Sequence, residues 1–234
     1  MKIPQSYIDA ISGGLDWSTP RQHVGIYYKS DGSPVSAVDL ESESIGFAWA
    51  SRNFPNFFVL SEENHHGIEF DYKSSVIVID PIDGTENYIS GIPLWASGVS
   101  VFEHGTHIYS AIVAPAMGMR LESPELDSNK EVKKHSSRVV GFSSSTRPSA
   151  IPDEVGEYRV FGCSMLNFLF VIQGSFSEFR NDAGGHCWDI LPGLNLALAA
   201  GLDVTVEGRP YRGEFLPPVR KYKFVVSNQF SEGD

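Results

Sequence analysis

Four apolar residues in succession, Val76 to Ile79, run directly into two aspartates three positions apart in the stretch VIVIDPIDGTENY. An unbroken apolar run of this length, bounded by turn residues, reads as a buried strand. FFVLSEE, Phe57 to Glu63, repeats the design on a smaller scale and also ends on carboxylates. LWASGVSVFEHGTHIYSAIVAP reads as two strands joined by a turn at Glu103 to Gly105. Upstream the pattern is largely helical, broken at YYKSDGSPVSAVD, Tyr27 to Asp39, where the Asp-Gly and Ser-Pro steps mark a turn. A helix is predicted from near Ser36 through DLESESIGFAWASRNF, with Leu40, Ile45, Phe47, Ala48 and Trp49 on its apolar face. Pro81 is expected to stop the strand before it.

Between Gly118 and Gly156 the chain becomes polar and rich in Ser and Pro around one short strand, RVVGFSSS, and the boundary between two lobes is placed there. The run KEVKKH, Lys130 to His135, reads as a solvated face. Beyond it, SMLNFLFVIQG is a helix stopped by Gly174, FSEFRND a strand, and WDILPGLNLALAAG a helix starting at Asp189 and stopping at Gly201.

Composition narrows the class. A chain of 234 residues with 41% hydrophobic and 12% aromatic content can bury a large core as one globular domain, residues 1–234. A net charge of -11 argues against a nucleic-acid polymer or an anionic membrane surface as partner. No signal-peptide core and no membrane-length apolar run are present, so a cytoplasmic location is expected. Cys163 and Cys187 form no CxxC pair, which points to two free thiols rather than a zinc cluster or a disulfide framework.

The recurring feature is the carboxylate at a strand end: Glu62 and Glu63, then Asp80 and Asp83. Uncompensated carboxylates a few ångström apart raise one another's pKa and weaken a fold. A hard divalent cation removes that cost, and Mg²⁺ takes oxygen ligands while keeping sites for water and phosphate oxygens. The carbonyl of Ile82 is a further oxygen in reach of the same turn. Gly84 and Thr85 offer main-chain N–H groups and a hydroxyl, a setting that holds phosphate. Taken singly these features are ordinary: Asp-Gly-Thr is a common turn, Asp189 a helix N-cap, His65 and His66 a surface loop. Their co-occurrence, each acid behind an apolar run, carries the functional reading.

In order and spacing, KSDGSPVSAVD, SEE, DPIDGTENY and HCWDILPGLNLALAAG resemble the inositol monophosphatase family of Mg²⁺-dependent, lithium-sensitive phosphatases, from about Lys29 to about Gly201. The resemblance implies an α/β (α+β) fold, a layered αβαβα sandwich of two lobes, residues 1–140 holding metal and phosphate and 141–234 forming a smaller α/β lobe. It implies that Glu62, Asp80 and the Ile82 carbonyl bind a first Mg²⁺, and that Asp80, Asp83 and Asp189 bind a second. Thr85 and Asp39 orient the attacking water, Gly84 and Thr85 hold the phosphate, and Lys29 sits near the phosphate and an optional third ion. Asp182 matches an acidic position that binds a substrate hydroxyl. Arg180 is the one nearby cation for a second phosphate or a carboxylate on the substrate, though a surface strand residue is its more ordinary reading. The implied reaction is hydrolysis of a phosphate monoester by direct in-line attack of a metal-activated water, with no phosphoenzyme. Relatives are commonly homodimers, and no interface is legible in this chain. Two departures from the motif stand out: Ser61 where glycine precedes the two glutamates, and Glu86 where a small or hydroxyl residue follows the threonine.

Two other classes compete. VIVIDPIDGT also looks like the DxDGT strand of haloacid-dehalogenase-type phosphatases, but the spacing here is DxxDGT, and one extra residue turns the second acid to the wrong side. A non-catalytic binder of a phosphorylated ligand is opposed by the presence of Glu62, Asp80, Asp83 and Asp189 together. Within the family the expected substrate is a small phosphorylated polyol or sugar, ahead of a nucleotide bisphosphate, fructose 1,6-bisphosphate or histidinol phosphate.

Overall fold

The computed structural model describes residues 6–14, 25–28, 32, 34–64, 74–123, 137–146, 149, 151–152 and 155–228. Lys29, His65, His66 and the run 130–135 lie outside them. In chain order the elements are α1 (Tyr7–Gly14), β1 (Ile26–Tyr28), β2 (Pro34–Ser36), α2 (Ala37–Asn53), β3 (Phe58–Ser61), β4 (Val76–Asp83), α3 (Thr85–Ile89), β5 (Ala96–Glu103), β6 (Thr106–Ala114) and β7 (Met119–Glu122). They continue with β8 (Val139–Phe142), β9 (Glu157–Val160), α4 (Ser164–Ile172), β10 (Glu178–Gly185), α5 (Cys187–Ala199), β11 (Asp203–Val206), β12 (Arg209–Pro210) and β13 (Tyr222–Ser227).

Strands β3-β4-β5-β6-β7 form a five-stranded sheet and β12-β11-β13-β10-β8-β9 a six-stranded one. The VIVI run shows why the layers alternate. Ile77 and Ile79 pack with Tyr7, Ile8, Ile11 and Trp49 of α1 and α2, while Val76 and Val78 point the other way, into a core with Leu166 and Phe168 of α4 and Leu191 and Leu194 of α5. The same core takes in Phe179, Phe224 and Val226 of the six-stranded sheet. The order is therefore helix, sheet, helix, sheet. No helix among the described residues covers the outer face of the six-stranded sheet, and the side-chain period of two explains why: in β10 Phe179 points inward and Glu178 and Arg180 outward. Helices α4 and α5 approach so closely that a Cβ on Gly193 would stand 2.0 Å from the Phe168 ring.

Several boundaries follow the sequence. Ser36 caps α2 through a capping box with Asp39, the β5–β6 turn falls at His104 and Gly105, both at positive φ, and α4 ends ahead of Gly174 at φ 79°. Others do not. Pro81 does not stop β4: Asp80 pairs with Gly98 and Asp83 with Ala96, so the strand absorbs one extra residue as a bulge and continues. A proline, lacking the ladder N–H, is tolerated there. Helix α5 begins at Cys187, two residues ahead of Asp189, and β1, β2 and β9 were not foreseen. No helix among the described residues is long and apolar enough to cross a membrane.

Candidate active site

Strands β3 and β4 run parallel and in register, with Ser61 beside Ile79, so the residues that follow, Glu62 and Asp80, emerge side by side. Asp189, in the first turn of α5, arrives from the other half of the chain. Ligand oxygens of Glu62, Asp80 and Asp189 all lie within 4.8 Å of one another. Asp80 is wholly buried, and among the described residues neither Oδ1 nor Oδ2 has a hydrogen-bond partner. An orphaned buried carboxylate costs several kcal/mol unless something neutralises it. Burial first, then the charges of Glu62, Asp83, Asp189 and Asp39, hold its pKa well above the carboxylate range. Asp189 is raised likewise by burial and by Asp83 and Glu62, against the opposing pull of a 3.0 Å bond from the His186 N–H and the charge of Lys221. Three clustered carboxylates, one of them fully buried, are an oxygen donor set for a hard cation, and the residues present fit Mg²⁺.

Asp83 lines the same cavity but is turned toward α4. Its Oδ2 accepts from the Met165 N–H at 2.6 Å and from the Cys163 thiol at 3.3 Å, tying β4 to the start of that helix. Burial pushes its pKa up to about 7, with those bonds pulling down and the charge of Glu62 pushing up. It is not one of the three clustered carboxylates.

Thr85 Oγ1 lies 3.0 Å from Asp39 Oδ1 and 3.0 Å from the Ile82 carbonyl. A hydroxyl has one proton to donate, and the charge-assisted bond to Asp39 is the stronger. The remaining lone pairs are left to accept a hydrogen from water. Asp39 is 2% exposed and fixed by its other oxygen, which accepts from the Ser36 N–H at 2.8 Å and from the Ser36 hydroxyl. Gly84 stands at φ 92°, and a Cβ there would meet the Leu94 carbonyl at 3.0 Å, so the turn into α3 requires glycine.

These residues open on a cavity of about 280 Å³ lined by Glu62, Asp80, Ile82, Asp83, Gly84 and Thr85, and by Asp189. Ser143, Ser144 and Ser145 after β8, Asn181 of β10, and Lys221 ahead of β13 complete its walls. None of these last residues was picked out in the sequence, because no local motif marks them: Lys221 comes in by pairing β13 against β10, where Gly185 faces Tyr222. Glu86 also lines the cavity, so it faces the site.

Two residues named as substrate contacts are not among the described residues that line the cavity. Arg180 lies on the outward face of β10 and pairs with Glu178 at 2.5 Å, the surface-strand position that was its more ordinary reading. Asp182 is exposed on the irregular stretch between Asn181 and Gly185, and it is not among the lining residues. Alternation along β10 accounts for both, since it is Asn181 that points inward. Lys29 lies outside the described residues. Both cysteines are buried and unbridged, as expected.

A buried carboxylate cluster at strand and helix ends, beside a polar cavity, is a candidate site for a hard divalent cation. The profile of the inositol monophosphatase family matches residues 16–230, and the chain belongs to that family. Its members hydrolyse phosphate monoesters, and this chain is a phosphatase of the same kind. It is 27% identical over 229 residues to the 3'(2'),5'-bisphosphate nucleotidase CysQ of Shigella flexneri, covering 90% of this chain and 92% of that protein. It is also 27% identical over 201 residues to the inositol-1-monophosphatase of Mesorhizobium japonicum, covering 77% and 74%. Its fold matches a solved IMPase/NADP phosphatase complexed with Mg²⁺ and phosphate at a TM-score of 0.71, with 18% identity over 88% of this chain and 82% of that one.

Proposed function

We propose that the chain hydrolyses the phosphate monoester of a small polyol or sugar, by in-line attack of water on phosphorus and without a phosphoenzyme, in the cytoplasm. The observation that carries this is Asp80: a fully buried carboxylate with no hydrogen-bond partner among the described residues, joined by Glu62 and Asp189 in the wall of a polar cavity. Glu62, Asp80 and the Ile82 carbonyl would hold one Mg²⁺, and Asp80, Asp83 and Asp189 a second. Bound there, the ions supply Lewis acidity to the attacking water and to the leaving oxygen. The protein's own groups do the positioning. Thr85, its proton committed to Asp39, accepts a hydrogen from the water and aims its lone pair at phosphorus, while the N–H groups of Gly84 and Thr85 face the phosphate oxygens.

The leaving group is inferred from the lining. Among the described lining residues there is no aromatic ring on which a base would stack, whereas the serines and Asn181 suit hydroxyls. About 280 Å³ is also at the small end for ligand sites. A second reading, an ester with a second phosphate, is favoured by one residue, Lys221, the described cation on the cavity wall. Phosphate release from inositol 1-phosphate, glycerol 2-phosphate, histidinol phosphate, fructose 1,6-bisphosphate and 3'-phosphoadenosine 5'-phosphate, with and without Mg²⁺, tests both. The first reading expects a monophosphate to be preferred and Lys221→Met to leave its KM unchanged. Preference for a bisphosphate, with a KM raised about tenfold or more by Lys221→Met, establishes the second. Lithium is expected to inhibit at elevated Mg²⁺, and a hydroxylamine-sensitive phosphorylated protein would rule out direct attack.

A further inference from the structure

Helix α2 reaches the strand ends at three successive points. Asp39 meets Thr85, the Ser42 hydroxyl donates to the Pro81 carbonyl at 3.1 Å, and Glu43 Oε1 accepts from the Ser61 hydroxyl. Asp39 and Glu43 are four apart, so they share one face of the helix. The first two contacts brace β4 and the turn after it. The third falls on Ser61, the last ladder residue of β3 and the immediate neighbour of Glu62. Beyond Ser61 no strand pairing holds the chain: Glu62, Glu63 and Asn64 form a turn, closed by the Ser61 N–H donating to Asn64 Oδ1 at 2.7 Å.

That turn carries a carboxylate with a ligand oxygen within 4.8 Å of those of Asp80 and Asp189. A ligand carried on a turn keeps its place only as well as the chain beside it is held, and the cost of bringing it back is subtracted from metal affinity. We propose that the Glu43–Ser61 hydrogen bond is a positioning device that holds Glu62 in the cluster and so sets the affinity of the carboxylate cluster for divalent cations. Neither residue is one of the clustered carboxylates. Ser61 is fully buried and stands where the resembling motif has glycine, which has no side chain to make the tie. The inference rests on the reading of Glu62 as a metal ligand.

The experiment is Mg²⁺ binding to metal-free full-length protein by titration calorimetry, for the parent and for Ser61→Ala, Glu43→Leu, Glu43→Gln and the double variant. Groups supporting a metal ligand commonly change affinity by about 10- to 100-fold when removed. Ser61→Ala and Glu43→Leu should each weaken binding about tenfold or more, and the double variant no further than either, since both break one bond. Glu43→Gln keeps an acceptor for the Ser61 hydroxyl and should bind within about threefold of the parent. The ester KM at saturating Mg²⁺ should be unchanged throughout, which general loss of structure would not allow. Parent-like affinity in either single variant overturns the proposal, and so does Glu43→Gln as weak as Glu43→Leu, which would make charge and not the bond responsible. If Glu43→Leu fails to fold, Ser61→Ala, which removes a single oxygen, decides alone. A parent that binds no Mg²⁺ overturns the metal-site reading itself, an outcome separate from failure of the tie.

Discussion

Thr85 and Asp39, 46 positions apart in the chain, meet through a 3.0 Å hydrogen bond in which the threonine donates to a carboxylate that is already fixed at the start of α2. The bond commits the threonine's only proton, and what it leaves free is a lone pair. Thr85→Val should therefore lower kcat by about 10²- to 10⁴-fold, the usual range for a proton-handling group, with little change in ester KM. Asp39→Asn should reproduce most of that loss while preserving α2, because the amide oxygen can still accept from the Ser36 N–H in the capping box. Steady-state kinetics at saturating Mg²⁺ checks both. A pure KM effect would remove the pair from the chemical step.

Asp80→Asn addresses the cluster itself. It removes a charge that is buried without a partner, so activity should fall at least about 100-fold. The metal-free protein should keep its thermal midpoint or gain a little, since like-charge repulsion with Glu62 and Asp189 is relieved. Unchanged turnover would overturn the assignment. A large loss of stability in metal-free protein would mean that the carboxylate has a partner in solution.

The pH dependence of stability has a definite sign. Asp83 stands at about 7, and Asp80 and Asp189 well above the carboxylate range, so through the acid range up to about 7 the folded metal-free protein binds more protons than the unfolded chain. The cluster's contribution is fully present below the ordinary carboxylate pKa of about 3.9 and is lost as pH rises through 7. Excess Mg²⁺ displaces those protons and should reverse the slope. His107, held down at about 4 by burial, works in the opposite sense, stabilising above its ordinary pKa and losing that contribution as pH falls through 4; it lies outside the cluster and adds equally to both series. Scanning calorimetry in chelator and in Mg²⁺ across this range reads the difference. Parallel curves would show that the ion does not bind these acids.

Gly84→Ala should cost about 1–2 kcal/mol for placing a side chain in left-handed backbone at φ 92°. The added Cβ also crowds the Leu94 carbonyl and Cys163, so the turn must shift, and the main-chain N–H groups proposed to hold the phosphate shift with it. Ester KM should rise along with the fall in thermal midpoint. A stability loss with unchanged kinetics would place phosphate binding elsewhere.

The chain by itself determined the parts that depend on near neighbours. VIVI specified a buried strand, the start of α2 was legible near Ser36, and acids behind apolar runs announced the carboxylate cluster. Periodicity and capping are local physics, legible within a few residues. Tertiary structure decided what local physics leaves open. Pro81 became a bulge because β5 was there to continue the ladder past it, and Arg180 left the site because the period of two in β10 turned it outward and Asn181 inward. Lys221 entered the cavity only through the pairing of β13 with β10, and Asp83 acquired its bond to α4 across 82 positions. The acids proposed as ligands were recognisable because a metal site of this kind needs carboxylates whatever surrounds them. The walls were not, because serine, asparagine and lysine are common surface residues, and only packing decides which of them face a substrate.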